Sequence, residues 1–244
     1  MQDASQTAGT VEVVVVVPVL NERDSIADFY SRMERIGYAS ALIFVDNASS
    51  DGTVELLERL AGVQVIRHQR NLGYGASIRD GLAATTSARV VIIDADLEYP
   101  PEAIPELVAA LDQHAVVYGS RFLSPHPPDM SLLRQLGNRV VSRVFNLLFH
   151  QSTTDFYTGV KALRREAIDR LNLRQDGVEH VVEMGAQLAR AGFRIHEIPV
   201  AYEPRSRGAS KMRHLPETLK FVWFVTQYWL GLDLGRGAAH PEAR

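Results

Sequence analysis

The sequence predicts an α/β protein with a mostly parallel central sheet flanked by helices, and three observations predict it. Residues 11–17 read VEVVVVV, a β-branched run broken only by Glu12, the texture of a strand covered on both faces. Strand-like and helix-like segments alternate through the first 120 residues at the spacing of βαβ units. Acidic residues collect just past the strand segments, where open α/β sheets bind ligands.

Each element follows from its local pattern. Residues 11–17 form the first strand and 24–36 a helix. Residues 41–46 are the second strand, and 52–60 a helix entered through the cap candidates Ser49, Ser50 and Asp51. Strand 63–68, helix 76–84 and strand 89–94 come next; Pro100 and Pro101 then separate that strand from helix 102–111 and strand 115–119. Past the polar, proline-bearing stretch 124–128 the texture changes. A long helix is predicted over 130–150, a strand near the sheet over 152–162, a helix over 178–191, a strand over 194–201 and a last helix over 215–230. This gives one domain over 11–234, in which 123–234 packs on 11–122, with 1–10 and 235–244 as disordered tails.

Bulk composition is that of a globular protein: 244 residues, 46% hydrophobic, 23% charged, net charge -3. Nothing in that balance points to nucleic acid. There are no cysteines, so neither disulfides nor thiolate zinc sites arise. The first ten residues lack the apolar core of a signal peptide. No run of about 18 apolar residues predicts a membrane span; the nearest, 221–232, is interrupted by Thr226 and Gln227.

The strand ends carry the chemistry. The first ends in Pro18, Asn21 and Glu22, the second in Asp46 and Asn47, the fourth in Asp94, Asp96 and Glu98, the fifth in Gly119, Ser120 and Arg121. One acid after a strand is usually a helix cap, but four such ends in register are hard to explain as caps. Hard oxygen ligands suit Mg²⁺ or Mn²⁺, and Mg²⁺ is normally held by one or two carboxylates with substrate phosphates. A divalent ion carrying a diphosphate is therefore the partner predicted for Asp94, Asp96 and Glu98.

Four motifs in order, PVLNE, VDNASSDGT, RNLGYGASIRDGL and DADLEYPPE, resemble the nucleotide-sugar half of family-2 glycosyltransferases with the GT-A fold. GSRF at 119–122, the arginine-bearing helix 130–150, DFYTGVKALRRE at 155–166, VVEM at 181–184 and RSRGASKM at 205–212 narrow the resemblance to polyprenyl-phosphate sugar synthases of the dolichol-phosphate mannose synthase type. It covers roughly residues 11–230. It implies that Pro18, Asn21, Glu22 and Asp46 line the base and ribose pocket, and that Gly73 and Gly75 pass the nucleotide beside Asp94. Asp94, Asp96 and Glu98 would hold Mg²⁺ or Mn²⁺. Arg121 would meet phosphate or sugar, and Arg134 and Asn138 the acceptor phosphate. Arg205 and Lys211 would close over the phosphates, and Asp155 and Glu183 would line the sugar pocket. By the same resemblance, Asp96, Arg121, Arg134 and Lys211 would be the catalytic set. Plainer readings stand beside these: turn glycines at 73 and 75, an ion-pair role for Arg121, a turn cap at Asp155, a solvated helix face at Glu183. The sequence departs from the family's pattern at Asn47, Glu98, Asn138 and Arg207, where the family often has an acid, Gln, Ser and Tyr.

The implied reaction is inverting transfer of one sugar from a nucleotide sugar, GDP-mannose or a UDP-hexose, to a polyprenyl phosphate. A phosphate monoester is largely a dianion at neutral pH and needs positioning rather than a general base. A hydroxyl acceptor would need a carboxylate base such as Asp155, and a non-catalytic binding protein is the third reading. The helix 130–150 and the aromatics Trp223, Tyr228 and Trp229 fit either peripheral contact with the cytoplasmic face of the membrane, with or without a separate membrane protein, or ordinary core packing.

Overall fold

The computed structural model describes residues 12–125, 130–203 and 214–232. Its centre is a seven-stranded sheet built from β1 (Val13–Val19), β2 (Leu42–Asp46), β3 (Gln64–Arg67), β4 (Arg89–Ile92), β5 (Val116–Ser120), β6 (Lys161–Arg164) and β7 (Ile195–Pro199). The spatial order is β3-β2-β1-β4-β6-β5-β7. All neighbours run parallel except β6, which is antiparallel to both β4 and β5.

The helices are α1 (Arg23–Arg35), α2 (Thr53–Leu57), α3 (Tyr74–Ala83), α4 (Ile104–Ala110), α5 (Leu132–Phe149), α6 (Arg165–Ile168), α7 (His180–Arg190) and α8 (His214–Trp229). They cover both faces, and strand alternation decides which side chain meets which layer. Val15 and Val17 turn to a core with Ile26, Phe29, Met33, Leu57 and Leu107, under α1, α2 and α4. Val14 and Val16 turn to the other core, with Ile78, Val141, Phe145, Met184 and Phe221 from α3, α5, α7 and α8. This double burial is why β1 could be almost wholly valine.

The sheet departs from the predicted pattern in one place. The strand expected over 152–162 is confined to Lys161–Arg164, and 152–160 is an irregular loop. Side chains from elsewhere hold that loop. The Glu197 carboxylate accepts the backbone N–H of Thr154 at 2.7 Å and of Asp155 at 2.9 Å, and Ser142 Oγ accepts that of Phe156 at 3.1 Å.

Candidate active site

The carboxyl ends of β1, β2, β4 and β5 form one edge of the sheet, and the loops there are strained and cross-tied. Among the described residues, Asn21 (φ 56°), Ala48 (φ 64°), Leu97 (φ 63°) and His150 are the non-glycine residues with left-handed backbone. The first three lie at this edge, and such strain concentrates where function over-determines the backbone. Asn21 Oδ1 accepts the N–H of Ser50 at 2.8 Å, and Ser49 Oγ accepts that of Asn21 at 2.9 Å. Glu22 donates its N–H to Thr53 Oγ1 at 3.0 Å, while Asp46, buried at the end of β2, accepts the N–H of Ser49. Pro18 is buried within β1.

Asn47 explains one departure from the family's pattern. Its Oδ1 accepts the N–H of Leu72 at 2.8 Å and its Nδ2 donates to Asn71 Oδ1 at 2.8 Å. An aspartate would lack that donor. At the glycines that follow, a Cβ on Gly73 would stand 2.2 Å from the Asp176 carbonyl oxygen, and one on Gly75 2.3 Å from that of Gln175. The 175–177 backbone thus approaches closely enough to require glycine at both positions.

At the end of β4, Asp94 is partly buried and accepts Tyr74 Oη–H at 2.6 Å. Burial first, then the charge of Asp96, pushes its carboxyl up to about 7. Asp96 Oδ1 accepts the N–H of Glu98 at 3.0 Å, and the Glu98 side chain hydrogen-bonds Tyr202. Among the described residues no three His, Cys, Asp or Glu side chains converge as a metal site. The repelling pair Asp94 and Asp96 fits an ion held by one or two carboxylates and completed by substrate phosphates, the usual arrangement for Mg²⁺.

Arg121, Asp155 and Asn138 form one buried unit. Asp155, fully buried, accepts Arg121 Nε at 2.7 Å, Arg121 Nη2 at 2.8 Å, the Arg121 backbone N–H at 3.0 Å and Asn138 Nδ2 at 2.5 Å. The Arg121 guanidinium lies 5.5 Å and 5.4 Å from the ring centres of Tyr99 and Tyr202. Asp155, expected in the sugar pocket, anchors two residues of the cavity wall. Glu183, expected there too, is buried and accepts the N–H groups of Arg174 and Gln175, both at 2.9 Å. Neither Asp155 nor Glu183 lines the cavity. Arg205 and Lys211 lie outside the described residues.

That cavity, about 280 Å³, opens between the sheet edge and α5, α7 and α8. Asp94, Tyr74, Arg121, Arg134, Asn138, Lys161 and His180 form its polar part; Met130, Leu133, Val141, Val178, Val181 and Phe221 form an apolar wall. Sequence reasoning missed Tyr74, Lys161 and His180. Because β6 is antiparallel, its first residue, Lys161, arrives at the edge where the parallel strands end, opposite Ile92 and Tyr118. Burial lowers its ammonium to about 8, against the opposing pull of Asp94 and Asp155. His180, buried, is pushed down to about 3 by burial and by Lys161.

The family model for glycosyl transferase family 2 matches residues 14–171. The chain belongs to this family. Among curated relatives it is 31% identical to glycosyltransferase AglJ of Haloferax volcanii over 81% of this chain and 65% of that protein. It is 28% identical to a dolichol-phosphate mannosyltransferase of Pyrococcus furiosus, over 83% of this chain and 59% of that protein. It is also 28% identical to an undecaprenyl-phosphate 4-deoxy-4-formamido-L-arabinose transferase of Klebsiella pneumoniae, over 82% and 62%. The chain thus spans about three fifths of the length of these relatives. Among solved structures, glucosyl-3-phosphoglycerate synthase of Mycobacterium tuberculosis, in complex with Mn²⁺, UDP and phosphoglyceric acid, superposes with a TM-score of 0.66 at 22% identity, over 90% of this chain and 77% of that one. The family's GT-A fold, expected from the motifs, is the fold of this chain.

Proposed function

We propose that this family-2 member transfers one sugar from a nucleotide sugar, GDP-mannose or a UDP-hexose, to a polyprenyl phosphate, with inversion at the anomeric carbon. The cavity carries this reading: one short space joins a cationic, hydrogen-bonding end at Arg121, Arg134 and Asn138 to an apolar wall. That pairing fits a phosphate on an isoprenoid chain and fits a free sugar hydroxyl poorly. The named activities of the curated relatives include transfer to dolichol phosphate and undecaprenyl phosphate. Asp155, one carboxylate that could serve a hydroxyl acceptor as base, is saturated by Arg121 and Asn138.

The edge formed by Pro18, Asn21, Glu22 and Asp46 would take the nucleotide. Asp94 and Asp96 would hold Mg²⁺ or Mn²⁺, which supplies Lewis-acid stabilisation of the departing diphosphate. The phosphate dianion attacks without a general base, so the chain's task is to hold its oxygens in line and neutralise its charge. The same face would meet the membrane. Leu132, Leu136, Leu219 and Trp223 are exposed on the paired helices α5 and α8, whereas Tyr228 is buried in the core. Among the described residues no helix is long and apolar enough to cross a bilayer, so contact by these helices would be peripheral.

The test is transfer of radiolabelled sugar to undecaprenyl phosphate, with GDP-mannose and UDP-glucose in separate tubes. Metal-dependent label in the organic phase, lost in Asp96→Ala, supports the reading. Label that enters only water-soluble products overturns it.

A further inference from the structure

Lys161 has no role in the reading above, yet it is only 4% exposed and lines the cavity. Its ammonium donates to the Thr158 carbonyl and lies 5.2 Å from the centre of the Tyr118 ring. An ammonium carries three N–H donors. Among the described residues none beyond Thr158 accepts from it, and no carboxylate forms a salt bridge with it. The nearby acids are engaged elsewhere, Asp94 with Tyr74 and Asp155 with Arg121 and Asn138. A lysine kept only as a counter-charge would sit in contact with an acid. Burying a cation with open donors is costly unless something else completes it, and here the open side is the cavity.

We propose that Lys161 is an anion-binding residue of this cavity and contacts the acceptor's phosphate from the sheet side, while Arg134 approaches it from α5. The proposal deepens the function above and rests on it for the anion's identity as a phosphate monoester, lipid-borne or free. An anion held between the two cations lies at the edge that carries Asp94 and Asp96, where a donor diphosphate would be.

The test titrates the full-length chain, Lys161→Met and Lys161→Arg, by calorimetry with farnesyl phosphate, farnesol, inorganic phosphate and UDP or GDP. Lys161→Met is expected to weaken farnesyl phosphate roughly tenfold to a hundredfold, the span of one charge-assisted hydrogen bond. Farnesol and nucleotide binding should stay within about twofold, and Lys161→Arg should retain most of the phosphate affinity. Equal farnesyl phosphate affinity in Lys161→Met and the parent chain overturns the proposal, as does a loss confined to the nucleotide. Lys161-dependent binding of inorganic phosphate without binding of farnesyl phosphate supports the anion site and sinks the lipid acceptor instead. Absence of binding by both phosphates overturns the anion site. If Lys161→Met does not fold, Lys161→Gln takes its place; if neither folds, Lys161 serves the core and the proposal fails.

Discussion

Replacing Asp155 by alanine should be among the most damaging single changes outside the hydrophobic core. The carboxylate is fully buried and accepts four hydrogen bonds, three of them from Arg121, whose side chain is itself only 10% exposed. Removing it leaves the guanidinium buried without its counter-ion, which typically costs about 3–5 kcal/mol. For a chain of this size each kcal/mol shifts Tm by about 2–4 °C, so Tm should fall by roughly 6–20 °C. Urea unfolding followed by both circular dichroism and tryptophan fluorescence measures the change, with coincident transitions as the two-state check. The double variant Arg121→Met with Asp155→Leu should be more stable than Asp155→Ala alone, because it removes the stranded charge. A loss under about 1 kcal/mol in Asp155→Ala, or a double variant that loses the sum of both changes, would refute the account of Asp155 as the anchor of Arg121.

His180 makes the fold acid-sensitive in a definite window. Its folded value of about 3 lies below the usual 6.5, so the unfolded chain binds the extra proton between them. The contribution is complete above the unfolded value and is lost as pH falls towards 3, on the order of 2–3 kcal/mol by about pH 4.5. Urea titrations at about pH 7.5 and 4.5 should show a smaller acid penalty in His180→Gln than in the parent chain; equal penalties would refute this. Gly75→Ala should destabilise by about 1–3 kcal/mol although alanine is the better helix former, because the added methyl would meet the Gln175 and Gly177 carbonyl oxygens at 2.3 Å and 2.8 Å. A thermal melt of Gly75→Ala at or above the parent Tm would show that the 175–177 loop yields.

The sheet edge was legible because its signals are local. An unbroken valine run, strand–helix alternation and an acid one step past a strand can each be read without knowing what packs where. Residues 152–160 were not legible, because what shapes them comes from far along the chain: Glu197, Ser142 and Asn146 supply the partners for their backbone. A β-branched and aromatic composition favours a strand only where a ladder is on offer, and these side chains out-compete it. The crowding that demands glycine at 73 and 75 was hidden for the same reason, since the Gln175 and Asp176 carbonyls lie about 100 residues away.

Lys161 shows how the rule that found the site also hid part of it. Ligands gather at the carboxyl ends of parallel strands, so a search along strand ends collects Asp46, Asp94, Asp96 and Arg121. Inserting one antiparallel strand inverts the rule for that strand alone and brings its first residue to the same edge. The inversion has an electrostatic consequence. Among the described residues, the parallel-strand ends alone give an edge whose one buried cation, Arg121, is already neutralised by Asp155. Such an edge would repel both phosphates of the proposed transfer. The antiparallel β6 adds a cation that no described carboxylate neutralises by contact, at the point where an acceptor phosphate would have to approach a donor diphosphate.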